Sequence, residues 1–268
     1  MALSIEDTPE AALVMPRAGA VQLESVHTVW WRRPRAPDPS EELDPETREF
    51  VTSEWEHFLA SLEAVIPARW VNPPAASRVA ARKVEQAIAA REQGLSVPRT
   101  VVTNDPEAVR GLAAEGRRLI YKRLGTAPRP LTATKELRPS DLERLEVLPN
   151  CPAIFQDRVD ARLDIRVTII GTEVFGAEID SQMGSSPLDW RFDHTVPFRP
   201  HQLDDSVATQ LLALMKRLGL LYGAIDLRLT PEGEYVFLEV NPGGQYLFVE
   251  LLGGVNLSER FAHFLAAG

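Results

Sequence analysis

The chain has 268 residues, 44% hydrophobic and 25% charged, with a formal net charge of −9. That length supports two or three packed units sharing one cleft, and the acidic balance excludes general affinity for nucleic acid or anionic membranes, because phosphate neutralisation needs clustered Lys and Arg. No apolar run approaches the roughly 18 residues of a bilayer span, residues 1–10 lack a secretory signal, and a single cysteine, Cys151, forbids an internal disulfide framework, so the expected location is cytoplasmic.

In chain order, residues 26–31 predict a strand, then a proline-rich polar loop over 34–45. A helix follows over 46–65, carrying Phe50, Trp55, Phe58, Leu59 and Leu62. Prolines at 67, 73 and 74 mark a unit boundary. The Ala-rich stretch 75–93 reads as one helix stopped by Gly94. Short β-rich runs come at 100–103, 119–123 and 131–135. Between the first two, a helix over 105–114 places Pro106 in its first turn, and 140–143 fits a capping box. Residues 153–268 are strand-dominated, with runs at 153–159, 165–170, 172–179, 222–229 and 235–240 and one helix over 205–218 ending at Gly219. This mixture predicts an α+β fold. Cys151 reads as a small packing residue, and the histidines at 27, 57, 194, 201 and 263 show no zinc-ligand spacing. No G-x-S-x-G elbow, Walker A loop or G-x-G-x-x-G fingerprint is present.

Residues 222–244, YGAIDLRLTPEGEYVFLEVNPGG, carry the most chemistry. A turn centred on Glu232 and Gly233 sets Asp226 directly opposite Glu239, with Asn241 on the same face, and sends Ile225, Leu227, Leu229, Leu238 and Val240 to the other. Like charges opposite one another destabilise a sheet, whereas a divalent cation between them reverses the sign. Two carboxylates and an amide oxygen are hard ligands suited to Mg²⁺. Two acids on a solvated hairpin edge remain the plainer alternative. Lys83 borders the apolar face of its helix and Lys122 lies in a strand; each is either a phosphate partner or an ordinary exposed lysine. Phe155, Gln156, Asp157, Arg158 and Val159 leave a strand for a linker ahead of Asp164. Arg166 and Arg191 offer forked guanidinium groups to phosphate oxygens, or serve as structural arginines. Arginines also group at 32–33, 117–118 and 123–129, which suits a small anionic ligand.

Taken in order, Trp30-Trp31-Arg32-Arg33-Pro34, Trp70-Val71-Asn72-Pro73 leading to Lys83, Pro98-Arg99-Thr100, Lys122, Phe155-Gln156-Asp157, Asp164-Ile165-Arg166, Asp189-Trp190-Arg191, Gly223-Ala224-Ile225-Asp226 and Phe237-Leu238-Glu239-Val240-Asn241-Pro242 resemble the ATP-grasp superfamily. Within it they are similar to the RimK-type branch and its microviridin-type (graspetide) peptide macrocyclases. The resemblance implies two α+β subdomains clasping ATP, at 74–152 and 153–268, preceded by a shortened pre-ATP-grasp domain at 1–73. It implies that Lys83 and Lys122 contact phosphates, that Gln156, Asp157, Arg158 and Val159 form the adenine hinge, and that Asp164 holds the ribose. Asp226, Glu239 and Asn241 would ligate Mg²⁺, and Arg166 and Arg191 would sit near the γ-phosphate or acyl phosphate.

The implied substrate is a ribosomal precursor peptide, leader plus core, whose Asp or Glu side chains are activated as acyl phosphates and joined to Thr or Ser as esters, or to Lys as amides. Addition of a free amino acid to a protein or small molecule is the alternative, and a non-catalytic nucleotide- or peptide-binding module is the third. Enzymes of this kind often work as homodimers, with which an exposed Trp55 is compatible. Three departures stand out. Asp157 replaces a glutamate in the hinge, 123–134 lacks a Gly-rich phosphate lid, and the region before Val21 is short for a complete pre-ATP-grasp domain, which reads as a truncated chain or a misplaced start. Removing Asp226 or Glu239 is expected to abolish turnover, leave the fold intact and even raise metal-free stability by relieving repulsion.

Overall fold

A computed structural model describes residues 2–4, 12–15, 19–34, 38–125, 134–193 and 195–267. The front of the chain forms a three-stranded antiparallel sheet, β1 (Ala2–Ser4), β2 (Ala12–Met15) and β3 (Gly19–Gln22), which the residue pattern does not predict. β4 (Thr28–Trp30) then pairs in parallel with β5 (Arg69–Val71) across α1 (Pro45–Val65). Asp44 caps α1 by accepting from the Thr47 N–H at 3.0 Å, and Pro45 occupies a first-turn position where no N–H is missed. Leu23, Leu62, Ile66 and Trp70 close a small core here. Trp55 is half-buried, edge-on to Phe58; Phe50 is instead the aromatic exposed on α1.

The Ala-rich stretch is two helices rather than one, α2 (Pro74–Ala80) and α3 (Lys83–Glu92), because Arg82 turns extended at φ −84°, ψ 109°. Gln86 holds the break. Its amide donates to the carbonyls of Ala80 and Val240 and accepts from the Val240 N–H at 3.0 Å. Lys83 therefore opens a helix instead of lying inside one.

The central sheet has the order β6 (Thr100–Thr103), β9 (Ala153–Asp157), β7 (Leu119–Lys122), β8 (Lys135–Glu136). α4 (Pro106–Ala114), capped by Asp105, buries Val109 and Leu112 against Leu119, Leu145, Leu148 and Phe155. α5 (Pro139–Leu142) starts one residue before the predicted box, and its capping carboxylate is Asp141, which accepts from the Arg138 N–H at 2.9 Å. Of the run predicted at 131–135, residues 131–133 lie outside the described residues, as do 126–133 of the segment compared with a lid and His194. Cys151 is exposed, contrary to its expected packing role.

The C-terminal sheet is antiparallel throughout, in the order β12 (Phe198–His201), β11 (Glu173–Ile179), β10 (Leu163–Ile170), β13 (Tyr222–Leu229), β14 (Tyr235–Asn241). α6 (Asp205–Arg217) presents Leu211, Leu214 and Met215 at helical spacing to Ile165, Val167, Ile169, Ile225, Leu227 and Phe237. Each such aliphatic or aromatic side chain contributes about 1.5–3 kcal/mol on full burial. β12 and two C-terminal helices, α7 (Leu247–Gly253) and α8 (Leu257–Ala266), are absent from the sequence reading. Ala80, Ala89, Ala90 and Leu95, within 74–152, pack in the core of the C-terminal sheet, and β9, within 153–268, lies between β6 and β7 in the central sheet.

Candidate active site

Alternation along β10 and β13 sends Ile165, Val167, Ile169, Ile225, Leu227 and Leu229 into the core and Asp164, Arg166, Thr168, Asp226 and Arg228 to the opposite face. The register pairs Asp164 with Arg228 and Arg166 with Asp226, so two neighbouring ion pairs run with opposite polarity across the same two strands. Arg166 Nη1 lies 3.0 Å from both carboxylate oxygens of Asp226, and Arg228 Nε lies 3.1 Å from Asp164. All four side chains are buried. Burial pushes the carboxyls of Asp164 and Asp226 up, opposed by the facing arginine in each case; the neighbouring Glu239 raises Asp226 further. Arg166 also donates to the Gln245 carbonyl at 3.1 Å and lies 5.7 and 5.8 Å from the ring centres of Trp190 and Phe248.

Asp226 does face Glu239, by a route the sequence reading lacks. The loop holds three residues, since the Thr230 N–H donates to the Glu234 carbonyl and Gly233 takes φ 90°. That moves the register by one. A bulge between Asp226 and Leu227 moves it back. The extra residue is Leu238, which leaves the expected apolar face and lines the cleft, while Phe237 fills the core. Asn241 follows on the strand, its Oδ1 accepting from the Gly243 N–H at 3.0 Å.

Cations gather around Glu239 from separate elements. Lys83 Nζ stands 3.2 Å from one carboxylate oxygen and Arg191 Nη1 3.7 Å from the other. Burial pushes Glu239 up, but Lys83, Lys122 and Arg191 outweigh it and hold the carboxyl below its usual range. Arg191 is gripped by Asp189, which accepts from Nε and Nη2 at 2.7 Å each and raises the guanidinium pKa. Lys122 is pushed down to about 8 by burial and by the charge of Lys83. The donor set of Asp226, Glu239 and Asn241 is all hard oxygen, which fits Mg²⁺. Among the described residues no group of three or more His, Cys, Asp or Glu side chains is placed to hold a metal ion.

The hinge residues divide. Gln156 donates to Thr100 Oγ1 inside the cleft at 2.7 Å. Asp157 pairs outward with Arg117, and Arg158 with Glu136 at 2.7 Å. The Val159 carbonyl is taken by Arg228 at 2.7 Å. Asp164 accepts from Arg228 through Oδ1, while its Oδ2 is buried without a hydrogen-bond partner among the described residues.

Three supporting residues lie outside the predicted site. Asn72 donates to the Tyr222 and Pro242 carbonyls at 2.7 and 2.9 Å and accepts from the Leu221 and Tyr222 N–H groups at 2.7 and 2.8 Å. Gln86 and Asp189 are the others. Their signal is a polar side chain among apolar neighbours, in Trp70-Val71-Asn72 and in the Ala-rich helix, and it says nothing of the distant partner. Of the histidines, His201 bridges Glu178 and Tyr235 at 3.0 and 2.7 Å, away from these charges.

No family model matches the chain, and no curated protein matches it. Solved structures do. Macrocyclase MdnC bound with precursor peptide MdnA, from Microcystis aeruginosa MRC, superposes with a TM-score of 0.89 at 30% identity, covering 100% of this chain and 87% of that one. Macrocyclase MdnB from the same organism gives 0.82 at 32% identity, covering 100% and 86%. A Chryseobacterium gregarium RiPP-associated ATP-grasp ligase, in complex with ADP and a leader and core peptide, gives 0.87 at 28% identity, covering 99% and 84%.

Proposed function

Since the chain belongs to the family of ATP-grasp macrocyclases that includes these enzymes, we propose that it spends ATP to cross-link a ribosomal precursor peptide, leader plus core, activating Asp or Glu side chains and joining them to Thr or Ser as esters, or to Lys as amides. The observation that carries this reading is the convergence of Lys83, Lys122, Arg191 and Arg166 on the facing pair Asp226 and Glu239. Lys83 and Lys122 hold phosphate oxygens. Arg166 and Arg191 sit where charge gathers as a peptide carboxylate attacks the γ-phosphate and ADP departs. The resulting acyl phosphate is displaced by a peptide hydroxyl or amine, which gives up its proton and releases phosphate. Asp226, Glu239 and Asn241 would hold Mg²⁺, which when bound offsets the phosphate charge.

Catalysis of this kind is positioning and charge stabilisation, so no protein nucleophile is called for. Asp189 locks the Arg191 guanidinium in advance, and Trp190 and Phe248 shield Arg166 from water. The protein incubated with ATP, Mg²⁺ and a candidate peptide rich in Thr and Glu should yield ADP and peptide lighter by one water per bond formed. ADP release with a free amino acid added to the acceptor would support the alternative ligase reading, and nucleotide binding without turnover on any peptide would defeat both.

A further inference from the structure

Thr100 on β6 and Gln156 on β9 are register partners across the central sheet. The Thr100 hydroxyl spends its one proton on the Pro98 carbonyl at 2.8 Å, so only lone pairs face Gln156. Gln156 Nε2 donates to them at 2.7 Å. The flipped amide would set Oε1 against an oxygen with no proton left to give. The lock therefore fixes Oε1 as a bare acceptor; it is buried, without a partner among the described residues, in a residue only 5% exposed. The small cavity that Gln156 lines is walled by Val84, Ile154 and Leu238 and carries the ammonium groups of Lys83 and Lys122, apolar faces with charge beside them.

We propose that Thr100 is a positioning residue for nucleobase selection. By holding the Gln156 amide in one orientation it presents a carbonyl oxygen to a purine bearing an amino group at C6 and rejects one bearing an oxo group there. The inference rests on the nucleotide reading of the cleft. An amino group satisfies the buried acceptor, whereas an oxo group leaves two acceptors facing each other, both unpaired.

The test compares binding of ATP and inosine triphosphate to the wild-type chain and to Thr100→Val and Thr100→Ser, each checked for a wild-type melting profile. The wild-type protein should prefer ATP by about tenfold or more, the order of one buried unpaired polar group. Thr100→Val frees the amide to turn and should narrow the preference to about threefold or less, while Thr100→Ser keeps the hydroxyl and the preference. Equal binding of both nucleotides by the wild-type protein, an undiminished preference in Thr100→Val, or a lost preference in folded Thr100→Ser would each overturn the lock. Failure of the wild-type chain to bind either nucleotide would sink the nucleotide reading itself, and the lock with it.

Discussion

Two bare carboxylates about 5 Å apart repel by roughly 3 kcal/mol at an effective dielectric near 20, and on that ground removing Asp226 would stabilise the metal-free protein. Arg166 reverses the expectation. It grips Asp226 at 3.0 Å inside the sheet, so Asp226→Ala strands a buried guanidinium and should cost about 3–5 kcal/mol. Asp226→Asn keeps an acceptor for Arg166 and should stay folded while losing turnover by about 10²-fold or more, the order of one lost transition-state contact. Thermal melts without Mg²⁺ decide the first point, and a melt of Asp226→Ala at or above wild type would contradict it. The facing of Asp226 and Glu239 was legible because both lie in one hairpin and strands alternate. The Arg166 partner was not, because the pairing of β10 with β13 spans some 60 residues of chain.

In the hairpin itself a one-residue longer turn and a one-residue bulge compensate, so the predicted face holds at Asp226 and fails at Leu238. Turn residues alone cannot reveal a bulge whose cause is packing: Phe237 fills the core and donates its N–H to the Ser96 carbonyl at 2.8 Å. The break between α2 and α3 is hidden for a similar reason, since Gln86 finds its partner 154 residues away. The loop after β14 shows the same tightness. A Cβ on Gly244 would lie 2.3 Å from the Cβ of Ala224 and 3.1 Å from Arg166 Nη2. Gly244→Ala should therefore destabilise by about 1–3 kcal/mol and disturb Arg166. Gly111→Ala, in α4 with nothing within 4 Å of the added methyl, should be neutral or stabilise by up to about 1 kcal/mol. Denaturant unfolding of the two variants checks the contrast, which equal stabilities would refute.

At the scale of the whole molecule, a chain of net charge −9 gathers a positive cleft from α3, β7 and the segment at Arg191. The cavity lined by Lys83, Thr100, Lys122 and Gln156 measures about 20 Å³, room for about one water. Lys122 rides on the central side, pushed down to about 8 from its ordinary 10.5. A lysine lowered on folding costs stability in full below its folded pKa, and that cost fades as pH climbs from about 8 toward 10.5. Anion binding runs the other way, because it needs the ammonium form. ADP affinity should hold steady below pH 8 and fall as pH rises through it, and Lys122→Arg should flatten that fall. Calorimetric titration of both proteins across this range tests it; a wild-type affinity that rises above pH 8 would exclude Lys122 as a phosphate partner.

Asn72 reaches from the end of β5 to the carbonyl of Pro242, and Arg33 Nε donates to the carbonyl of Gly243 at 2.8 Å. The front of the chain thus serves as a peg in the loop after β14, and cutting at residue 73 would pull it out. A swap of this front piece for a foreign one would have to bring both side chains along, so any tailoring of the enzyme toward new peptides is easier at its rims than at this seam.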